Sequence, residues 1–182
     1  MSKKVCIFCG ARTGNSPEII EKTKELVALL AAQDYDLVYG GGSSGLMGLI
    51  ADEFLAHGRK VIGVRPIILL AEEITHQGVT QMIETEDMFI RKQKMVELSD
   101  AFIALPGGVG TLDEIVEVFT LNKVKHIQKP CGVFNINGFY NKLVELLNVF
   151  VDYEYMDKES MNELIVEDSA EELVNKINTF EF

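Results

Sequence analysis

The chain has 182 residues, 47% of them hydrophobic, enough for one well-buried domain and short for two. Its 17 basic and 28 acidic side chains leave a net charge of -11, which opposes nonspecific binding to nucleic acid or anionic lipid, so a bound phosphate has to be held locally. No apolar run approaches a membrane span, only five apolar residues lie between Lys4 and Gly10, too few for a signal peptide core, and three cysteines argue against a disulfide framework; a cytoplasmic protein is expected.

Short apolar runs alternate with longer helical patterns, the pattern of a parallel sheet covered on both faces. The candidate strands are Val5 to Cys9, Leu37 to Tyr39, Val61 to Val64, Gln81 to Ile83, Ala101 to Leu105, Gly132 to Phe134 and Leu164 to Val166. The expected fold is α/β: a single Rossmann-like doubly wound domain over residues 1–182, its mostly parallel sheet of about seven strands flanked by helices on both faces. Ligands gather at the carboxyl ends of strands in such sheets, so the loops after Cys9, Tyr39, Val64 and Leu105 should face one crevice.

The first strand holds Cys6 and Cys9 as C-x-x-C, but residues three apart in a strand point to opposite faces, unlike a redox pair at a helix start, and both are read as core residues. Ser16-Pro17 opens the first helix as N-cap and first-turn proline. After the second strand, Gly40-Gly41-Gly42-Ser43-Ser44-Gly45 contains G-x-G-x-x-G in the strand-to-helix context of a dinucleotide site. That reading also wants an acid near the end of the next strand, yet Val61 to Val64 runs into Arg65-Pro66; glycines that merely permit a tight turn and close helix packing are the alternative. His57-Gly58 looks like a helix end. Arg65 to Thr80 is the least regular stretch, a candidate lid or mobile edge.

Met88, Arg91, Lys92 and Met95 fall on one helical stripe, where two cations interrupt an apolar face. They either reach an anionic ligand, or Arg91 pairs with Asp87 at i,i+4. Then comes Leu105-Pro106-Gly107-Gly108-Val109-Gly110-Thr111-Leu112-Asp113-Glu114: strand end, glycine turn, helix start. Converging N–H groups and the positive end of the helix dipole suit a phosphate resting on Gly108 to Thr111. Glu114 lies three residues beyond Thr111, about 4.5 Å along the axis, a distance that fits a ribose. An acid so placed either complements the dipole or does chemistry; Asp113 is read as a dipole partner only. Ser169 and Glu172 form a capping box for the last helix.

His57, His76 and His126 show no metal-ligand spacing, there is no G-x-S-x-G elbow and no Walker A lysine, and no lysine stands out for a Schiff base. No metal and no cofactor is expected.

The assembled motifs resemble the LONELY GUY (LOG) family, cytokinin riboside 5'-monophosphate phosphoribohydrolases with a P-G-G-x-G-T-x-x-E signature. The resemblance takes in Phe8-Cys9-Gly10, Val38 to Gly42 with Gly45 to Gly48, Met88 to Met95 as M-x-x-R-K-x-x-M, Asp100 to Glu114, Glu117-Val118 with Thr120, Lys129-Pro130, and Asn135 with Gly138-Phe139-Tyr140. Ala11-Arg12 stands where the family often has paired serines, Phe89 replaces a common histidine, Leu121 a usual tryptophan, and Asn122 to Ile127 departs from Q-L-G-x-H. Proteins with this signature have often been labelled lysine decarboxylases, but nothing here supports pyridoxal phosphate chemistry.

The resemblance implies hydrolysis of AMP or an N6-modified, cytokinin-type riboside 5'-monophosphate to free base and ribose 5-phosphate. Arg91 and Glu114 are the implied catalytic pair. The implied substrate-binding residues are Glu73, Arg91, Lys92, Gly108, Val109, Gly110, Thr111, Leu112, Asp113, Glu114 and Thr120. It further implies a homodimer whose partner helps close the site. A nonenzymatic nucleotide sensor or carrier is the alternative function; a dehydrogenase ranks third, lacking the ribose acid and a second substrate domain.

Overall fold

The computed structural model describes residues 2–69 and 74–181, with Leu69 described by its backbone alone. Its seven strands are β1 (Lys3–Phe8), β2 (Tyr35–Tyr39), β3 (Val61–Pro66), β4 (Gln81–Thr85), β5 (Ala101–Ala104), β6 (Cys131–Phe134) and β7 (Leu164–Glu167). The helices between and after them are α1 (Pro17–Ala32), α2 (Gly45–Ala56), α3 (Met88–Leu98), α4 (Val109–Lys123), α5 (Asn141–Asp152), α6 (Lys158–Asn162) and α7 (Ala170–Thr179). All seven expected strands are present, and every pairing between them is parallel, in the order β4-β3-β2-β1-β5-β6-β7.

Parallel strands read as continuous apolar runs because helices cover both faces. On one face Val5, Ile7, Leu37 and Ile103 pack against Leu26 and Leu30 of α1, Ile50 and Phe54 of α2, and Leu173 and Ile177 of α7. On the other, Cys6, Phe8, Phe102 and Val133 pack against Met95 of α3, Ile115 and Val118 of α4, and Leu147 of α5. Cys6 and Cys9 fall on opposite faces, both as free thiols. Burial raises both thiol pKa values, and the Glu114 carboxylate raises them further, so neither is an available thiolate.

Strand order reverses between β1 and β5, which opens a crevice at their carboxyl ends. At the opposite, amino ends of the strands, acids serve the backbone. Asp36 accepts from Lys60 N–H at 3.0 Å and pairs with Arg59 at 3.0 Å, while Asp100 accepts from Lys4 N–H at 2.8 Å.

Helix ends follow the sequence closely. Ser16 and Pro17 open α1, although the Ser16 hydroxyl makes no capping bond. Ser169 Oγ accepts from Glu172 N–H at 3.3 Å, and α2 ends at His57-Gly58 with Gly58 at φ +70°.

The stretch read as a lid or mobile edge is, in its described parts, tied down. Arg65 and Pro66 belong to β3 and are buried. Ser43 N donates to Ile74 O at 2.9 Å and His76 N to Gly41 O at 3.1 Å, so residues 74–76 form a two-sided bridge to the second glycine loop. His76 is held again by Asp52, at 3.0 Å.

Gly45 sits at φ +61°, and a Cβ there would lie 2.3 Å from the Ala11 carbonyl carbon, so loops one and two interlock at this point. Gly45→Ala meets backbone rather than a movable side chain. The expected cost is about 2 kcal/mol or more, a fall in melting temperature of roughly 5 °C or more by thermal denaturation.

Candidate active site

The crevice at the β1/β5 switch point has a volume of about 260 Å3, and its walls come from four loops and helices. Loop one supplies Cys9, Gly10 and Ala11; loop two supplies Gly40 and, from α2, Met47; α3 supplies Met88 and Arg91; the last turn and α4 supply Gly108, Gly110, Thr111 and Glu114.

The N-cap of α4 is Gly108, which has no side chain to satisfy the helix's first donors. The first intrahelical bond runs from Leu112 N to Gly108 O at 3.1 Å, so the N–H groups of Gly108, Val109, Gly110 and Thr111 precede it. These donors sit at the positive end of a 15-residue helix. Only the glycines, Thr111 and Glu114 turn toward the crevice. Val109 is 83% exposed, and Leu112 and Asp113 are exposed on the outer face of α4.

One turn further along α4, Glu114 is buried at 9% exposure and meets Arg91 Nη1 at 2.6 Å through Oε1. Arg91 is equally buried, at 8%, and its Nε donates to the Val64 carbonyl at 3.0 Å. Its other nitrogen lies against loop two: a Cβ on Gly40 would come within 2.6 Å of Arg91 Nη2. The guanidinium is thus fixed from three sides, by β3, loop two and the carboxylate. Burial raises the Glu114 pKa, and the Arg91 charge opposes that rise without cancelling it. The i,i+4 pairing of Arg91 with Asp87 does not form; Asp87 caps α3 instead, accepting from Ile90 N–H at 2.8 Å.

Lys92 turns away from this pair. Its ammonium binds Glu117 at 2.7 Å and Asp113 at 3.0 Å on the outer face of α4. Burial acts against its charge, but the two carboxylates outweigh that and its pKa rises.

Three kinds of comparison bear on this geometry. A family model described as "Possible lysine decarboxylase" matches residues 47–177. The cytokinin riboside 5'-monophosphate phosphoribohydrolase LOG1 of Arabidopsis thaliana is 41% identical over 178 residues, 98% of this chain and 84% of its own. The chain belongs to the LONELY GUY (LOG) family. A probable cytokinin riboside 5'-monophosphate phosphoribohydrolase, LOG4 of Oryza sativa subsp. japonica, is 39% identical over 96% of this chain and 76% of its own. The solved molybdenum cofactor binding protein of Rippkaea orientalis shares the fold at a TM-score of 0.71, with 21% identity, covering 98% of this chain and 99% of that one.

Within this LOG fold, the residues singled out from the sequence divide into three groups. Arg91, Gly108, Gly110, Thr111 and Glu114 converge on the crevice. The side chains of Lys92, Val109, Leu112 and Asp113 do not, and Thr120 lies further along α4, exposed, its hydroxyl donating to Val116 O at 2.7 Å. Glu73 lies outside the described residues. Met47, Ala11 and Gly40 are wall residues that no catalytic motif marked, although Gly40 stood in the recognised glycine run.

Gly40→Ala tests whether the guanidinium's position matters. The added methyl meets the far ends of the Arg91 and Met47 side chains and no backbone, so the chain should still fold, with a lower melting temperature as Arg91 is pushed off Glu114. Turnover should fall roughly 10- to 100-fold, as a displacement of about 1 Å can cost that much, measured by steady-state kinetics on the nucleotide proposed below.

Proposed function

We propose that this protein is a nucleoside 5'-monophosphate N-glycosidase, hydrolysing AMP or an N6-modified, cytokinin-type riboside 5'-monophosphate to free base and ribose 5-phosphate. The observation that carries this reading is a buried Arg91–Glu114 pair one helical turn from the N–H groups of Gly108 to Thr111, which precede the first intrahelical bond of α4, in a single crevice. Relatives of nearly full coverage bear the name of that activity.

The chemistry follows from the spacing. Phosphate rests on the helix amides, which leaves the sugar over Glu114. Cleavage of the bond between C1' and the base nitrogen builds positive charge on the ribose, and a carboxylate at that point stabilises it. Glu114 then takes a proton from the attacking water as the water oxygen bonds to C1', while the base leaves with the bonding pair and is protonated by solvent, to which Glu114 returns the proton it took. Arg91 orients the carboxylate and the sugar hydroxyls, and its charge favours the ionised form of Glu114.

The protein is further proposed to be a cytoplasmic homodimer. Phe89, at 78% exposure, and the exposed Leu112 and Val116 support an interface on α3 and α4, the helices that carry the catalytic pair. Thr120 and Lys92, off the crevice within one chain, take their proposed substrate contacts at that interface, and Glu73 is proposed as a further contact. A nonenzymatic sensor or carrier would keep the phosphate site but has no use for a buried carboxylate held by arginine.

Chromatography of AMP, GMP, IMP and isopentenyladenosine monophosphate after incubation decides the class; free adenine or isopentenyladenine is expected. Glu114→Gln should retain AMP binding and lose at least about 100-fold in base release. A nucleotide that binds and stays intact would favour the sensor.

The pH profile is a second check. Glu114 works ionised and its pKa is raised, so activity falls as pH drops through a value above the ordinary glutamate range near 4.3. Arg91→Ala removes the largest influence holding that value down, so the acid limb of its residual kcat/KM should move to higher pH.

A further inference from the structure

Beside the crevice lies a second cavity, of about 440 Å3, walled by residues 10–15 of loop one, Ile19 of α1, Leu46 of α2, Pro106 to Gly108, and Phe139. The two share Gly10, Ala11 and Gly108, so the turn that opens α4 stands between them. Loop one is held against that turn, Gly10 N donating to Pro106 O at 3.3 Å, and it is tied to α2 by Leu46 N donating to Gly10 O at 3.2 Å.

The charges around the two spaces differ. In a chain with 28 acidic side chains, no acid lines the second cavity, and its one charged wall residue is Arg12. Arg59 and Arg91 are each committed to carboxylates, whereas Arg12 is exposed and takes part in no ion pair among the described residues. The first crevice, by contrast, contains Glu114 and Arg91, which neutralise each other at 2.6 Å. A dianionic group placed by the α4 amides meets a neutral ion pair on the Glu114 side and an uncompensated positive charge on the Arg12 side, and is drawn to the latter.

We propose that the Arg12 cavity is the phosphate subsite: the 5'-phosphate of the nucleotide lies on its side of Gly108, bound jointly by the α4 N–H groups and the Arg12 guanidinium. This rests on the nucleotide reading above and adds a binding residue and a direction to it. The nucleotide runs from Arg12, across the glycine turn, to Glu114. Arg12 touches only the phosphate and contributes equally to ground and transition states.

The test uses titration calorimetry and steady-state kinetics on the wild type, Arg12→Ala and Arg12→Lys, with AMP, adenosine and inorganic phosphate as probes. Arg12 is on an exposed loop, and unchanged melting temperatures verify folding. Arg12→Ala should raise Kd and KM for AMP about ten-fold, weaken inorganic phosphate similarly, leave adenosine unaffected and change kcat less than about two-fold. Arg12→Lys should recover part of the loss. Equal weakening of AMP and adenosine, or AMP binding indifferent to Arg12, overturns the assignment. Arg12-dependent AMP binding without hydrolysis sinks the N-glycosidase reading and leaves the subsite standing; hydrolysis with a KM indifferent to Arg12 does the reverse.

Discussion

The buried contact between Arg91 and Glu114 is the constraint around which the crevice is organised. Such a pair is a poor device for stability, because the cost of removing two charges from water offsets most of their attraction, and apolar residues of similar size often do as well. Once the pair exists, losing one partner leaves the other charge stranded, at a cost of roughly 3–5 kcal/mol. Its presence is therefore better explained by what it does than by what it adds to folding. The pair keeps a carboxyl group in a dry wall at a fixed angle, with its charge balanced and its proton affinity raised. Three elements far apart in sequence, the end of β3, the second glycine loop and α4, have to arrive together for the guanidinium to find Val64 O, Gly40 and Glu114.

That requirement gives the glycine loops a role different from the one their spacing suggests. In a dinucleotide fold the G-x-G-x-x-G backbone approaches the pyrophosphate. Here Ser43 N is already used by Ile74 O, and Gly45 is pressed against loop one. The second loop supplies a wall, with Gly40 admitting the arginine, while the amides for an anion are left to α4. One glycine run is a packing joint and the other is the proposed binding surface. What separates them is whether their donors are taken.

The architecture was legible because its signals are local. Seven apolar runs of strand length, alternating with amphipathic segments, have few other solutions than a covered parallel sheet, and all seven were found where periodicity puts them. The end of α2 at His57-Gly58 and the start of α7 at Ser169 were equally readable. Along α4, a helix that begins at Val109 turns residues 110, 111 and 114 one way and 109, 112 and 113 the other, which the pattern alone resolved only in part. Long-range pairing escaped it. Nothing near Lys92 announces that Asp113 and Glu117 will claim its ammonium, nor does the irregular stretch after β3 reveal that residues 74–76 will pair with the second loop. Arg91 was read as reaching an anionic ligand or pairing with Asp87, and within the chain it pairs instead with a carboxylate 23 residues away in sequence, more deeply buried than Asp87.

Electrostatics explains why the pairing suits the proposed nucleotide site. At about 6 Å and an effective dielectric of about 20, two unit charges of like sign repel by roughly 3 kcal/mol, and a phosphate dianion doubles that. An unpaired Glu114 one turn from the amides would cancel much of what those amides and the helix dipole contribute. Arg91 neutralises it at 2.6 Å, so the first crevice presents little net field to the incoming phosphate. Lys92 does the same for Asp113 and Glu117 on the helix's outer face. In an acidic protein the local field at α4 is thus softened by pairing each nearby acid, and in the proposed reaction the carboxylate remains available for the moment when positive charge appears on the sugar. On that proposal the balance then reverses: the developing cation would strengthen its attraction to Glu114 as the bond to the base lengthens, a gain realised in the transition state and not in the bound nucleotide.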